Sequence, residues 1–494
     1  MSDTSSTSDT PNKTPSATDA LIPIVAIMIL LSLSVYLFGD ESSLGANQIV
    51  LLFCTGLAAL VGMKNGYSWE DIEKGIYQGI SHSIGAILIL FAVGAMVGTW
   101  ILSGTVPTMI FWGLKILSPE LFYPASCLLC ALIALSIGSS WTTAGTLGIG
   151  LMGISAGMGL SPEITAGAII SGAYFGDKLS PLSETTNMAS AVAEAGLFSH
   201  IRNMLWTTIP SFVLAIIAFW FLGSSEQTVI DTQQAMPLGS IEEYFNIGWY
   251  LLIPVFVLLT MARMKVPPFP AIFGSALLGG VFAVIFQPNL VIQLAENSND
   301  IPNALLLLKG VWIALFSGYH SETTIPVLDN LLSKGGMSSM ILTVWLIISA
   351  MAFGGVLEKV KILESLFNMI VKQVKGTGSL IVTGLCTCLG LNIITGDQYI
   401  SIVLPGRMYQ AEFKRRNLAP ITLSRMLEDA GTISSPLIPW NTCGAYMAAT
   451  LSVSTLSYLP FVLFNLFNIV LAIIFALMNW KVAKCDVTNT EVTP

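Results

Sequence analysis

The sequence predicts an all-α integral membrane protein made of two inverted-topology repeats with paired broken or re-entrant helices, and roughly 12–14 transmembrane segments. Three observations carry this. The 494 residues are 54% hydrophobic and only 10% charged, with a mean hydropathy of +0.76, whereas soluble domains carry about a quarter charged residues. Two polar, proline-bearing stretches, 172–187 and 427–442, interrupt apolar runs. Loops at corresponding places in the two halves differ in basicity, as an inverted arrangement requires.

Taken in order, residues 1–19 are rich in Ser, Thr, Asp and Pro and read as a disordered tail. The run 21–38 follows an acidic tail rather than a basic n-region, so it is expected to stay as a first helix. Apolar runs then fall at 46–63, 83–103, 121–137, 143–158, 163–198 and 204–223, the sixth interrupted by the first polar stretch. Residues 106–117 are too short to span and read as interfacial or re-entrant. After a connection at 224–246, a second series runs at 247–262, 269–286, 304–316, 338–357, 379–395, 398–411, 419–451 and 459–480. This divides the chain into a tail (1–19), a first membrane repeat (20–223), the connection, a second membrane repeat (247–480) and a C-terminal tail (481–494). Inversion needs an odd number of crossings per half, so one run of the second series, such as 304–316, is expected not to cross fully.

A constant shift of 258 superposes Gly138 on Gly396, Leu160 on Leu418, Pro162 on Pro420, Leu179 on Leu437 and Pro181 on Pro439. The same gapless shift brings the two polar stretches into register. Lys64, Lys74, His200, Arg202 and the run Lys414, Arg415, Arg416 mark the cytoplasmic ends. The loop matching the Lys414 run is 156–163, without Lys or Arg, and the loop matching Arg202 is the uncharged 454–460.

In the first stretch Gly172 and Gly176 are expected to loosen a helix, and Pro181 pushes Ser180 out of helical geometry. A helix breaks inside a bilayer only where its freed backbone groups are buried in protein or line a wet cavity. A charged residue at the centre of a membrane helix costs about 2.5–3.5 kcal/mol on the most lenient scale, so Asp177, Glu184, Asp397, Glu428 and Asp429 must be neutralised. A buried carboxylate can hold a proton or sit beside a cation, and a site able to do both exchanges H+ for a metal ion. The candidate ion- and proton-binding residues are Asp177, Ser180, Ser183, Glu184 and Thr185 from the first stretch, Glu428, Asp429, Thr432, Ser434 and Asn441 from the second, and Asp397 beside it. Asp177, Ser183, Asp429 and Asn441 are assigned to Na+, with Asp177 and Asp429 as leading carriers. The segments 138–143 and 392–398 add further oxygen ligands.

Plainer roles compete for several of these residues. Lys178 beside Asp177 suits a structural ion pair, Glu163 after Pro162 a helix N-terminus, and single hydroxyls interhelical hydrogen bonds. Residues 321–324 repeat the Ser-Glu-Thr-Thr of 183–186 outside a helix and read as a loop. Trp141, Tyr174, Tyr399 and Trp440 read as packing or interface anchors, and the seven cysteines as small helix-packing residues. The charge of −8 is carried in good part by connections such as 226–243 and indicates no substrate. Neither a nucleic-acid surface nor a zinc spacing is present, and no cofactor is expected beyond the transported Na+ and H+. The chain lacks His-Glu-x-x-His and Gly-x-Ser-x-Gly, so it does not read as an enzyme. The alternative carrier is an exchanger of a small organic anion coupled to Na+ or H+, cradled by helix N-termini near Ser183 and Asn441 with help from Arg407 or Arg425.

Six segments give the chain a family likeness. They are Gly172 to Asn187, Gly354-Gly355, Gly396-Asp397-Gln398-Tyr399, Leu404-Pro405-Gly406-Arg407-Met408, Leu423-Ser424-Arg425 with Leu427-Glu428-Asp429, and Ser435 to Gly444. In these the chain resembles the NhaC family of sodium/proton antiporters. The resemblance implies two inverted repeats, a multi-pass place in the plasma membrane and Na+/H+ exchange, with Asp177, Asp397, Glu428 and Asp429 as the matching acidic positions. It leaves open an organic substrate, since that family includes exchangers of malate and lactate. A homodimer is compatible with a carrier that moves one domain against a fixed scaffold, though no residue marks an interface.

Overall fold

The computed structural model describes residues 14–226, 239–295, 301–323, 326–371, 374 and 376–484. Most of the expected N-terminal tail, much of the 224–246 connection, Thr324 and residues 485–494 lie outside them. The described chain is helical throughout, with two isolated bridges, Tyr319 to Lys334 and Leu418 to Lys484. Among the described residues eight helices are long and apolar enough to cross a membrane: Ala17–Leu44, Ala46–Lys64, Trp69–Leu102, Pro119–Ile137, Leu197–Ser225, Pro268–Phe286, Met337–Lys359 and Thr377–Thr395. A pair bent by 62°, Thr455–Phe461 with Leu463–Leu477, makes a ninth if counted as one span. The runs at 247–262 and 304–316 appear as the shorter apolar helices Trp249–Arg263 and Asn303–Phe316.

The first helix starts at Ala17, inside the stretch expected to be tail. Ser16 caps it by accepting a hydrogen bond from the Asp19 amide, and Asp19 pairs with Lys64 at 2.6 Å. A cap and an ion pair outweigh the polar composition that argued for disorder. The segment 106–117 forms the helix Thr105–Ile116, whose first turns are buried.

Gly172 and Gly176 do not loosen their helix, which runs unbroken over Pro162–Leu179. They are contact points instead. A Cβ at Gly172 would lie 2.0 Å from the Cys127 carbonyl oxygen, and one at Gly176 would lie 2.2 Å from that of Ala131. Helices approach this closely in membranes because lipid offers no hydrophobic drive, so backbone-to-backbone packing through small residues supplies the attraction. The crossing of Trp69–Leu102 with Ile341–Lys359 uses the same device reciprocally: a Cβ at Gly79 would meet the Met351 carbonyl at 2.1 Å, and one at Gly355 the Gly75 carbonyl at 2.2 Å.

The 258-residue offset recurs in the backbone. Pro119–Ile137 and Thr377–Thr395 start and end at that spacing, each closed by a left-handed glycine, Gly138 (φ 79°) and Gly396 (φ 67°). The next residues, Ser139 and Asp397, both cap the following helix, accepting from the amides of Thr142 and Ile400. Left-handed residues recur at Gly159 and Asn417 and at Glu194 and Ser452. Ser183 and Asn441 both cap a half-helix after an extended break at Ser180 and Ile438.

Gly172→Val should force the two helices apart, an overpacking cost of about 1–3 kcal/mol or more, seen as lost monodispersity and a lower unfolding temperature in detergent. Gly56→Ala, whose Cβ would meet nothing within 4 Å, should leave both unchanged.

Candidate functional site

Both breaks end in the same way. After Leu179 the chain turns through Ser180, Pro181 and Leu182, and Ser183 starts the half-helix Glu184–Val192 by accepting from the Thr186 amide. In the second half, the helix Pro420–Leu427 winds into a wide π turn over Glu428–Thr432 before a tight turn at Ser435–Leu437 and the half-helix Thr442–Leu451. A π turn inserted into a helix re-aims its side chains and is common at functional positions. Here it carries Glu428, Asp429 and Thr432.

The structure brings five expected residues into one cluster that joins the two breaks. Asp177 Oδ2 accepts from the Ser140 hydroxyl at 2.7 Å and the Ser140 amide at 3.2 Å, and the Ser183 hydroxyl lies against the same carboxylate. The Ser183 and Thr185 hydroxyls are 3.1 Å apart, and Thr185 donates to Glu428 Oε1 at 3.2 Å. Glu428 is fully buried, and its Oε2 has no hydrogen-bond partner among the described residues. The buried Thr432 hydroxyl is directed at this carboxylate and bonds to no other group among the described residues. These two are the least satisfied oxygens of the cluster and are therefore the ones open to a further partner.

Asp429 has a different environment. The fully buried Lys178 does not pair with its neighbour Asp177; its ammonium donates to Asp429 and, at 3.0 Å, to Asn468 Oδ1. Thr207 donates to both Asp429 oxygens at 3.0 and 3.2 Å, Asn468 Nδ2 donates to Oδ1 at 3.2 Å, and Arg425 Nε lies 4.0 Å from Oδ2. Expected as a leading carrier, Asp429 thus has its oxygens occupied. Its pair with Lys178 fastens the first broken segment to the second. Around the cluster, Asp177, Glu428 and Asp429 face Lys178 and Arg425, so three potential negative charges meet two positive ones.

The remaining expected residues lie apart from this cluster. Ser180 Oγ accepts from the Leu182 amide and shapes the break. Glu184 is exposed and accepts from the Tyr399 hydroxyl at 3.0 Å. Asp397 is buried as a helix cap, accepting from the Ile400 amide at 2.9 Å. Ser434 and Asn441 belong to a network centred on Asn392, whose Nδ2 donates to Ser434 Oγ at 2.9 Å and the Gly431 carbonyl at 2.6 Å and whose Oδ1 accepts from Asn441 Nδ2 at 2.9 Å. That network holds the π turn from behind. Trp141 stacks on Tyr446 with ring centroids 4.1 Å apart, a packing role as expected.

Sequence reasoning missed Thr207 and Asn468. Their signal was present, since each is a polar residue on an apolar run, Asn468 in a helix of almost unbroken Leu, Ile, Phe and Val. Among the described residues no group of three His, Cys, Asp or Glu side chains is placed to hold a metal ion. A mixed set of carboxylate and hydroxyl oxygens suits a hard cation passing through.

The model of the Na+/H+ antiporter family matches residues 16–186 and 172–480. The chain belongs to this family. It is 35% identical over 437 residues to the Na(+)/H(+) antiporter NhaC of Alkalihalophilus pseudofirmus, covering 88% of this chain and 91% of that one. It is 35% identical over 458 residues to the malate-2H(+)/Na(+)-lactate antiporter of Bacillus subtilis, covering 92% and 93%, and 34% identical over 486 residues to the arginine/ornithine antiporter ArcD of Halobacterium salinarum, covering 96% and 95%. As a member of the Na+/H+ antiporter family with at least eight apolar helices of spanning length, this is a multi-pass plasma-membrane protein.

Removing one partner of a buried pair strands the other charge at about 3–5 kcal/mol. Asp429→Leu and Lys178→Met should each lower the unfolding temperature in detergent sharply, while the double variant should regain most of the loss. Additive losses in the double variant would show that the two side chains do not act as a pair.

Proposed function

We propose that this protein exchanges Na+ for H+, with Asp177 and Glu428 as the carboxylates for which the two cations compete. The observation that carries the reading is the pair of under-satisfied oxygens, Glu428 Oε2 and Thr432 Oγ1, in a buried cluster contributed by both broken segments. Na+ would take these oxygens together with those of Asp177, Ser183 and Thr185. With Lys178 and Arg425 charged, the site carries one net negative charge when empty. One Na+ or one H+ neutralises it, and the empty site moves poorly through a low-dielectric interior. That penalty is what couples the two fluxes. Lys178 and Asp429 act as a positioning pair that holds the carboxylates opposite each other.

The reading includes an inverted relation between 119–197 and 377–455. Supporting it, Glu194 pairs with Lys414 at 2.9 Å on the basic face, whereas Ser452, its match at the 258-residue offset, lines a cavity beside Asp40 and Glu41. Two oppositely directed half-helices meeting at the cluster would open it to one face at a time. A second reading, exchange of a small organic anion coupled to Na+ and H+, has one observation in its favour, that same polar cavity.

In proteoliposomes, NaCl but not KCl should drive H+ movement without any organic acid, and Asp177→Asn or Glu428→Gln should reduce it to the background of empty vesicles. Full activity in Glu428→Gln would remove that residue from the mechanism. Thr432→Val, which deletes one neutral ligand, should raise the half-saturating Na+ concentration about tenfold, the equivalent of ~1.4 kcal/mol. Because H+ and Na+ compete, that concentration should also fall as pH rises, by about tenfold per unit where one proton is displaced; a pH-independent value would mean separate sites.

A further inference from the structure

A spanning helix that touches lipid shows it an apolar face. Along Leu197–Ser225 that face carries Trp206, Ile209, Val213, Ile217 and Trp220. The half-helix Glu184–Val192 and the helix Gln398–Arg415 depart from this. The first exposes Glu184, Asn187 and Ala191 at helical spacing, with Glu194 just beyond its end, and the second exposes Tyr399, Arg407, Ala411 and Lys414 at the same period. The two lie side by side, since a Cβ at Gly406 would be 2.3 Å from Val192 Cγ1. Their exposed residues are joined at both ends: the Tyr399 hydroxyl donates to Glu184 Oε2 at 3.0 Å, and Lys414 pairs with Glu194 at 2.9 Å. Together they make one polar stripe.

The stripe runs deep. Lys414, Arg415 and Arg416 mark its basic end as cytoplasmic. From there the half-helix covers about 13 Å to Glu184, close to half of a hydrocarbon core of about 30 Å. Arg407 lies about 10 Å inward from Lys414 along its own helix, and it pairs with no carboxylate among the described residues. Exposed charges at that depth are too costly to face lipid, so this face is wet. Exposed polar groups of neighbouring helices reach the same place: His82 on Trp69–Leu102 and Glu358 on Met337–Lys359 lie close enough to act on the charge of Asp397, two residues before Tyr399. At the foot of the stripe, Glu184 stands between Ser183 and Thr185, whose hydroxyls belong to the buried cluster.

We propose that the stripe is the wall of a water-filled crevice open to the cytoplasmic face, and that Glu184 at its foot is the entry ligand that draws Na+ from that side before Ser183 and Thr185 take it up. The crevice follows from the exposed charges alone; the role of Glu184 rests on the exchange reading. Tyr399 holds the Glu184 carboxylate in place.

Thiol labelling with a membrane-impermeant cationic methanethiosulfonate tests the crevice, in right-side-out and inside-out membrane vesicles containing the full chain with one added cysteine. Above the background of the native cysteines, Glu184→Cys and Arg407→Cys should react at least tenfold faster in inside-out vesicles, and Val213→Cys, on the lipid face, should react from neither side. Labelling of both crevice positions no faster than Val213→Cys, or no faster from the cytoplasmic side than from outside, would overturn the crevice. The role of Glu184 is read from Na+-driven H+ movement in the same two vesicle types. Glu184→Gln should raise the half-saturating Na+ concentration at the cytoplasmic face about fivefold or more, with the maximal rate and the external value within about twofold of wild type, and Glu184→Asp should keep most of the affinity. An equal rise at both faces, or a fallen maximal rate with unchanged half-saturation, would make Glu184 a structural partner of Tyr399 and overturn its entry role. A wild type without Na+-driven H+ movement would instead sink the exchange reading, and the labelling would still decide the crevice.

Discussion

The cost of holding a carboxylate in a medium that cannot solvate it governs this structure. Three acids, Asp177, Glu428 and Asp429, lie within a few residues of the two helix breaks, each less than a tenth exposed. One of them is answered by Lys178, Thr207 and Asn468 inside the protein. The other two are answered in part by hydroxyls, and the remainder falls on Glu428 Oε2. On the proposed function, the fully paired acid holds the segments together and the partly paired one is left to receive a cation. That difference, more than proximity to the break, separates Asp429 from Glu428 although they are adjacent in the chain.

The fold serves this by packing the helix that carries Asp177, and the long helices behind it, against their neighbours at backbone distance. Gly172 and Gly176 bring Pro162–Leu179 onto Pro119–Ile137, and Gly75, Gly79 and Gly355 do the same for the long helices behind. Only residues without side chains permit such approach, and the close packing keeps Asp177, Ser183 and Glu428 within reach of one another. The recurrence of left-handed positions, caps and extended breaks at one offset means that two stretches of different sequence obey the same backbone constraints. Asn417 stands where Gly159 does, and Ser452 where Glu194 does.

Much of this was legible beforehand. The long spans follow from apolar runs, though eight or nine of spanning length stand among the described residues against the 12–14 expected, because runs such as 143–158, 163–198 and 419–451 are divided into shorter helices; the breaks follow from Pro181 and Pro439 with the extended residues before them. That both polar stretches contribute to one cluster was legible from their common offset, but which residues meet there, Asp177, Ser183, Thr185, Glu428 and Thr432, was not. Pairing was not legible. Lys178 is next to Asp177 in sequence, yet successive residues on a helix point about 100° apart, so its partner came from the other half of the chain. The caps at Asp397 and Asn441 were hidden for a related reason: an Asp or Asn at a break has the same composition whether it binds an ion or an amide. Gly172 and Gly176 were misread because a helical glycine weakens an isolated helix but strengthens a packed one.

The claim that Na+ displaces a proton from the buried cluster is most directly tested by calorimetric titration of the purified protein with NaCl in two buffers of different ionisation enthalpy, which counts protons released per Na+ bound. Release of close to one proton or more in the wild type, lost in Glu428→Gln, is the predicted result. Na+ binding with the same heat in both buffers, and therefore no proton released, would contradict the account.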